Sequence, residues 1–414
     1  MSASAPSTSG SALVCAKPHA AGARAAASEA ARLAGPVAGP GPPGALWLAL
    51  GGSWEAHEGS ETLIAAGLEG LEAVWPGAGE VAIATRSAGL LGAGGEWRER
   101  PAVGVLAVGG REIRAFSVPE LAGEEDRAGP EAAARIGRPL EPGDAVAVWS
   151  DAAHLAPGAL LASLVPSLAP ARLAGGGLSP PAGEAPGFAH AGRMLGAGLV
   201  GWHVPGACAP SVQGASACHP LTPPLVVSRS RGHWVLGLDG RTALDVFREA
   251  AGGALAKDPG RAARVLKLAL LDDGKPDAAE PRALSNVIGF DARRGAFSVA
   301  RPVESGRRVM LVQLDADRAR AELDRAVGHI AAGPPRDWAV YFGCRGRGEA
   351  LFGIDGLESG LIERGMAGTP WLGVEADHQF APGPDGASPL QPSSYAGVLI
   401  AARCRAKAGA GPIG

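Results

Sequence analysis

Apolar and polar positions along the chain follow two rhythms, and three stretches share one layout. In the first, the unbroken apolar run Leu46-Trp47-Leu48-Ala49-Leu50 ends in Gly51-Gly52-Ser53. A helix capped by Ser60 is expected next, because Leu63, Ile64, Leu68 and Leu71 recur at helical spacing. Pro76-Gly77 breaks it, a second strand follows at Val81-Ala82-Ile83-Ala84, and the stretch ends in Gly89-Leu90-Leu91-Gly92-Ala93-Gly94-Gly95. The second stretch repeats this with Ala145-Val146-Ala147-Val148-Trp149, then a helix entered at Pro157 that carries Leu160, Leu161, Leu164, Val165 and Leu168. Arg172-Leu173-Ala174 and Gly175-Gly176-Gly177 close it. The third has Trp338-Ala339-Val340-Tyr341-Phe342, Gly343, a helix around Leu357, Leu361 and Ile362, and Pro370-Trp371-Leu372-Gly373-Val374 before a Pro/Gly loop.

Each stretch is a strand, loop, helix, strand unit of about 30 residues, the size of a βαβ crossover. Such crossovers pair their strands in parallel and place the loops that follow the strands at one sheet edge. Continuous rather than alternating apolar strands indicate burial on both faces. If the units share sheets, neither half covers its own sheet, and the two halves are expected to unfold together. Between the units the pattern changes. Leu225-Val226-Val227-Ser228 and His233-Trp234-Val235-Leu236 read as a hairpin, and so do Ile288-Gly289-Phe290 and Ala296-Phe297-Ser298-Val299. Helices are expected over 23–33, 242–251, 261–271 and 316–331, the last from Leu323, Val327 and Ile330. The fold class is therefore α/β, with mixed, partly parallel sheets built from repeated strand-helix-strand units plus hairpins, in two closely associated domains.

Composition narrows the function. The chain has 414 residues, 46% hydrophobic and 19% charged, with a formal net charge of −3. That balance excludes a disordered chain and offers no basic face for nucleic acid. No apolar run reaches the roughly 18 residues that a bilayer span needs, and the first 35 residues lack a basic head followed by an apolar core. Five cysteines without close pairs make neither a disulfide framework nor a zinc site, so a cytoplasmic location is expected.

Specific wording then appears. Ser216-Ala217-Cys218-His219-Pro220-Leu221-Thr222-Pro223-Pro224-Leu225-Val226-Val227, followed by Leu238-Asp239-Gly240-Arg241-Thr242-Ala243-Leu244, resembles the end of the FIST N domain. Ser87-Ala88-Gly89-Leu90-Leu91-Gly92 and Pro101 to Ala107 resemble that family's Gly-rich turn and following strand. Asn286 to Gly289, Phe342-Gly343-Cys344-Arg345-Gly346-Arg347-Gly348 and Gly373 to Pro382 resemble the FIST C domain. The resemblance runs from about Ser11 to Ala402 and implies an N-terminal segment with one helix over 1–40, a FIST N domain over 41–240, a FIST C domain over 241–402 and a disordered tail over 403–414. It implies a sensory or signal-transduction protein that binds a small ligand such as an amino acid, acts through a downstream signalling partner and has no catalytic activity. It also carries the alternative of a haem-binding gas sensor. Two departures stand out. The usual Gly-Cys-Arg reads Ala217-Cys218-His219, and the usual Gly-Glu-Ile-Gly-Pro reads His378-Gln379-Phe380-Ala381-Pro382, so the acidic ligand contact is either lost or moved to Glu375 or Asp377.

Candidate chemistry centres on Cys344-Arg345-Gly346-Arg347-Gly348, placed where a strand ends and a glycine loop begins. Backbone N–H groups and two guanidinium forks there could clamp a carboxylate or phosphate; a tight turn with solvated arginines is the plain alternative. An adjacent Arg could also make Cys344 a thiolate nucleophile for a hydrolase or transferase, although the sequence names no histidine base for it. His190, His203, Cys208, Cys218 and His219 form the densest group of soft ligands, of the kind that hold haem iron, and otherwise read as loop and core residues. Ser87 and Gly89 mark a second loop able to approach an anion. The tryptophans on or beside the strands read as core. The expected ligand-binding set is Cys344, Arg345, Gly346, Arg347, Ser87, Gly89, Cys218, His219, Glu375, Asp377 and His378, with no metal, no resident cofactor, no nucleic acid and no membrane partner.

Overall fold

The computed structural model describes residues 9–35, 43–55, 59–98, 100–109, 112–271, 283–382 and 393–403. All but the first residue of the expected tail over 403–414, together with residues 1–8 and 36–40, lies outside them. The chain forms two compact units. One comprises Met1–Ala215, Leu323–Leu390 and Ala396–Gly414, the other Ser216–Glu322 and Gln391–Tyr395. This partition does not follow the sequence join near Gly240, because strands from the last third of the chain pair with strands from its first half.

All three strand-helix-strand units are present in the larger unit, and each has its own sheet. The first sheet runs Ser9–Cys15, Ala102–Val108, Ala45–Gly51, Ala82–Arg86, Phe188–His190, Arg193–Met194, with Ala45–Gly51 parallel to Ala82–Arg86. The second runs His378–Phe380, Arg172–Leu178, Ala145–Asp151, Leu199–Val204, Arg114–Val118, with Ala145–Asp151 parallel to Arg172–Leu178. The third runs Ser211–Ser216, Ala396–Ala402, Trp338–Cys344, Trp371–Ala376, Leu90–Gly92, Gly95–Trp97, with Trp338–Cys344 parallel to Trp371–Ala376. The crossover helices are Ser60–Glu72, Pro157–Leu168 and Leu357–Gly365.

Residues from all three sheets meet in one core. Trp47, Trp149, Trp202, Trp338 and Phe342 are fully buried there, with ring centroids 4.9 to 5.6 Å apart along the chain of contacts. Continuous apolar runs match two-sided burial: every residue of Ala45–Gly51, Ala102–Val108 and Trp338–Cys344 is buried, and so is all of Ala145–Asp151, whose last two positions, Ser150 and Asp151, are polar.

The smaller unit is a closed, wholly antiparallel barrel. Around it run Arg308–Leu314, Leu225–Arg231, Trp234–Leu238, Ala296–Val299, Ala283–Asp291 and Leu266–Leu270, and Leu266–Leu270 pairs back onto Arg308–Leu314. Val227, Val235, Leu268, Val287, Phe297 and Leu311 fill it, with Phe247 from the helix Ala243–Ala251 stacked on Phe290 and Phe297.

Three local expectations are corrected. The helix over 261–271 stops at Val265 as Pro259–Val265, and Leu266–Leu270 is a strand. Its leucines fit both periods, and pairing to two neighbours satisfies more backbone groups than another helical turn. Ser60 is not a cap, since Gly59 occupies that position and the Ser60 hydroxyl donates to the Ala185 carbonyl. The two glycine runs are strands rather than loops: Gly175, Gly176 and Gly177 pair with the segment at His378–Phe380, and Leu90–Gly92 and Gly95–Trp97 form a hairpin. The N-terminal segment holds the strand Ser9–Cys15 besides its helix Ala20–Ala34.

Candidate functional site

The third unit places the site. Strand Trp338–Cys344 ends in a turn in which the Arg347 N–H donates to the Cys344 carbonyl (2.9 Å), while the Arg345 N–H reaches the Ala376 carbonyl (3.2 Å). One arginine consequently points outward and the next but one inward. Arg345 is 40% exposed in its side chain and donates through one nitrogen to Asp377 (3.3 Å) and Ser179 (3.4 Å). The rest of its fork is unbonded among the described residues. Arg347 is fully buried; its Nε donates to Glu358 (2.6 Å), one terminal nitrogen donates to the Ala215 carbonyl (3.3 Å), and its guanidinium lies 5.5 Å from the Phe352 ring centre. Both arginines were expected to carry a ligand's charge. The Arg347 charge is instead consumed inside the protein, so this side chain fixes the turn.

Beneath the turn lies an acid–arginine network. Glu358 also accepts from the buried Tyr341 hydroxyl (2.7 Å). Glu96 accepts the N–H groups of Glu358 (3.0 Å) and Ser359 (3.2 Å), capping the helix Leu357–Gly365, where a carboxylate suits the helix dipole. Its other oxygen takes Arg98 (2.6 Å), and Arg98 also pairs with Glu375. Burial alone would lower Arg98, but Glu375 and Glu96 outweigh it and hold the guanidinium above its ordinary value. Burial raises Glu375 above the usual carboxylate range, against the pull of Arg98 and Arg345. Tyr341 is raised well above its ordinary value by burial and by Glu358.

Ser87 and Gly89 come to the same place. The Ser87 hydroxyl donates to the Gly89 carbonyl (2.9 Å), and that carbonyl accepts the Glu375 N–H (3.0 Å). A β-carbon on Gly89 would stand 2.7 Å from Glu375 Oε2, so glycine is required for the close approach. Gly348, with φ +70°, leaves room for the Arg98 guanidinium in the same way. Asp377 pairs with Ser179 and, through its N–H, with the Gly177 carbonyl (2.8 Å). His378 lies opposite Gly177, where any β-carbon would strike its ring. Gln379 is fully buried and donates to the carbonyls of Gly343 (3.3 Å) and Ala376 (2.9 Å). It is a scaffold group here. Cys344 is 5% exposed, and its sulfur accepts the Gly346 N–H (3.4 Å).

Of the expected set, Cys344, Arg345, Gly346, Arg347, Ser87, Gly89, Glu375, Asp377 and His378 thus belong to one neighbourhood. Cys218 and His219 lie in the strand Cys218–Pro220 of the smaller unit, where His219 faces Arg318 (3.3 Å). Sequence reasoning missed Glu96, Arg98, Ser179, Tyr341 and Glu358. The spacing of Glu96 and Arg98 on one face of a strand was the available signal. The soft-ligand residues each have local partners: His190 meets Ser117 (3.1 Å), buried His203 meets Asp144 (2.8 Å) and Cys208 meets Glu112 (3.3 Å). Burial lowers both His190 and His203. Among the described residues no group of three or more His, Cys, Asp or Glu could hold a metal ion, and no helix is long and apolar enough to cross a membrane. A groove of about 350 Å³ lined by Ser9, Ser11, Ala34, Glu363, Thr369 and Trp371 lies at the other end of the third unit's strands.

Known proteins share this chain's wording over long stretches. An uncharacterized protein of Mycobacterium tuberculosis is 30% identical over 198 residues, which are 46% of this chain and 50% of that protein. An uncharacterized protein of Mycobacterium bovis is 26% identical over 197 residues, with the same coverage. The chain spans about half the length of the curated relatives it matches. The FIST N domain matches residues 56–241 and the FIST C domain residues 243–376, together most of the sequence. The chain belongs to the FIST family, whose domains are sensory and signal-transduction modules thought to bind small ligands.

Proposed function

We propose that the protein senses a small zwitterion, an amino acid or similar small carboxylate, at the loop edge of the third unit, without a catalytic step. The observation that carries this reading is the half-exposed Arg345–Asp377–Ser179 group, whose guanidinium keeps free donors. Three guanidinium groups there face four carboxyl groups, so a simple anion gains little, whereas a zwitterion satisfies both signs. The ligand carboxylate takes the open side of the Arg345 fork, and its ammonium lies against Asp377 and Glu375. The edge follows the ends of parallel strands, where α/β folds bind ligands. Occupancy is relayed to a downstream signalling protein, and the protein works without a resident cofactor in the cytoplasm.

A thermal-shift screen of amino acids and small carboxylates tests the reading. A true ligand at 100 times its Kd adds about 2.7 kcal/mol. Arg345→Ala should then weaken binding about ten- to a hundredfold, since a charge-assisted hydrogen bond is worth roughly 1.5–3 kcal/mol. Lys should restore part of the loss, being a point charge without a planar fork. Cys344→Ala should leave binding unchanged; ligand turnover lost in that variant would establish an enzyme instead. A Soret band after expression in haem-replete cells would overturn the cofactor-free reading.

A further inference from the structure

Outside this site, one buried cation takes its carboxylate partner from a single short segment. Arg86 ends the strand Ala82–Arg86 and is fully buried. Its Nε donates to the Ser60 hydroxyl (3.3 Å), one terminal nitrogen pairs with Glu184, and its guanidinium lies 5.8 Å from the Trp54 ring centre. The other terminal nitrogen, also buried, has no acceptor among the described residues. The second Glu184 oxygen accepts the Trp54 N–H (3.3 Å). Glu184 is thereby held as a bound carboxylate would be, by one fork nitrogen and one backbone amide, with a further donor left over.

The segment that delivers Glu184 is Ser179-Pro180-Pro181-Ala182-Gly183-Glu184-Ala185-Pro186-Gly187, which has no large apolar side chain. Its other ties are the Ser60 hydroxyl to the Ala185 carbonyl, the Arg86 N–H to the Gly187 carbonyl (2.9 Å), and Ser179 with Asp377 and Arg345 (3.4 Å). Ala182, Gly183 and Ala185 are exposed. Pro180 and Gly187 are buried at its two ends, and between them the Glu184 carboxylate is the principal anchor of residues 181–186.

We propose that Arg86, Ser60 and the Trp54 amide form a carboxylate seat which the chain fills with its own Glu184, and that a small free carboxylate enters the seat by displacing Glu184 and the stretch 181–187, leaving Ser179 in place. Burial lowers Arg86 to about 10, which is the sign of a cation that needs a counter-ion. The seat is separate from the Arg345 site and does not rest on the zwitterion reading. It makes Glu184 an internal competitor whose release exposes a loop.

The test uses the full chain, with acetate as the probe and chloride at equal ionic strength as the control. Glu184→Ala should melt below the parent, and acetate should restore several degrees of Tm while chloride does not. Arg86→Met/Glu184→Ala should show no acetate-specific gain. Glu184→Gln serves the same titration should the alanine variant fail to fold. In the parent, acetate should increase cleavage at Glu184 by a glutamate-specific protease several-fold. Equal shifts with acetate and chloride in the Glu184 variants, or an acetate gain that survives loss of Arg86, would mean a closed structural ion pair and overturn the proposal. Arg345→Ala should respond to acetate as the parent does, which separates failure here from failure of the zwitterion site.

Discussion

The two units solve the sheet-edge problem in opposite ways, and only one solution leaves a place for ligand chemistry. The barrel closes through Leu266–Leu270, so its edges are consumed by pairing and its interior by Phe247, Phe290 and Phe297. The larger unit keeps three open mixed sheets, each with one crossover unit whose parallel strands end in loops. There the charged side chains converge: Arg98, Arg345 and Arg347 with Glu96, Glu358, Glu375 and Asp377. Antiparallel closure supplies a rigid filled module, and parallel crossovers supply an edge.

Truncation tests that contrast most severely. A fragment of residues 1–240 lacks Trp338–Cys344, Trp371–Ala376, His378–Phe380 and Ala396–Ala402, so the third sheet loses its centre and the second its edge strand. It should show no cooperative melt. Residues 216–322 hold every barrel strand and should give an antiparallel β signature with a cooperative transition by circular dichroism; the reverse outcome would break the comparison.

The two arginines of the turn sharpen it next. Arg347→Ala leaves Glu358 buried without its partner and should cost about 3–5 kcal/mol by denaturant melting. Arg345→Ala removes a half-exposed pair and should cost no more than about 1 kcal/mol. Near-equal losses would mean that the inward and outward roles are misassigned. Between these lies Gly89→Ala, which sets a β-carbon against the Glu375 carboxylate and should cost about 1–3 kcal/mol as overpacking.

The smallest effects come from pH. His203 and His190 are lowered by burial, so their neutral forms stabilise the fold above the ordinary imidazole value of 6.5, and that contribution is lost as pH falls through their folded values. Glu375 is raised by burial, and its contribution is present below 4.5 and lost as pH rises through its folded value. Glu375→Gln, which cannot ionise, should therefore gain modestly on the parent as pH rises from about 4 to 7. A gap between the two melting curves that narrows over that range would contradict the sign.

Much of this architecture was legible in the sequence. The three crossover units are written in runs such as Leu46 to Leu50 followed by glycine and a leucine stripe, because two-sided burial favours continuous apolar runs. The hairpins around Val226 and Phe297 show in their turns. Barrel closure was hidden because Leu266, Leu268 and Leu270 also suit a helix, and which period wins depends on partners distant in sequence. The fate of Arg347 was hidden for a related reason: two arginines separated by one glycine look alike until the helix Leu357–Gly365 brings Glu358 back against one of them. Arg86 and Glu184, about a hundred positions apart, share no local pattern at all.

The tryptophan core has a spectroscopic consequence. Trp47, Trp149, Trp202 and Trp338 are drawn from three different sheets, and their indoles lie close enough for their excited states to couple. A signed near-ultraviolet dichroism couplet and strong energy transfer among them should mark the joined sheets, while the barrel contributes only the separate indole of Trp234. The larger unit thus carries a built-in optical gauge of whether its three sheets remain in register.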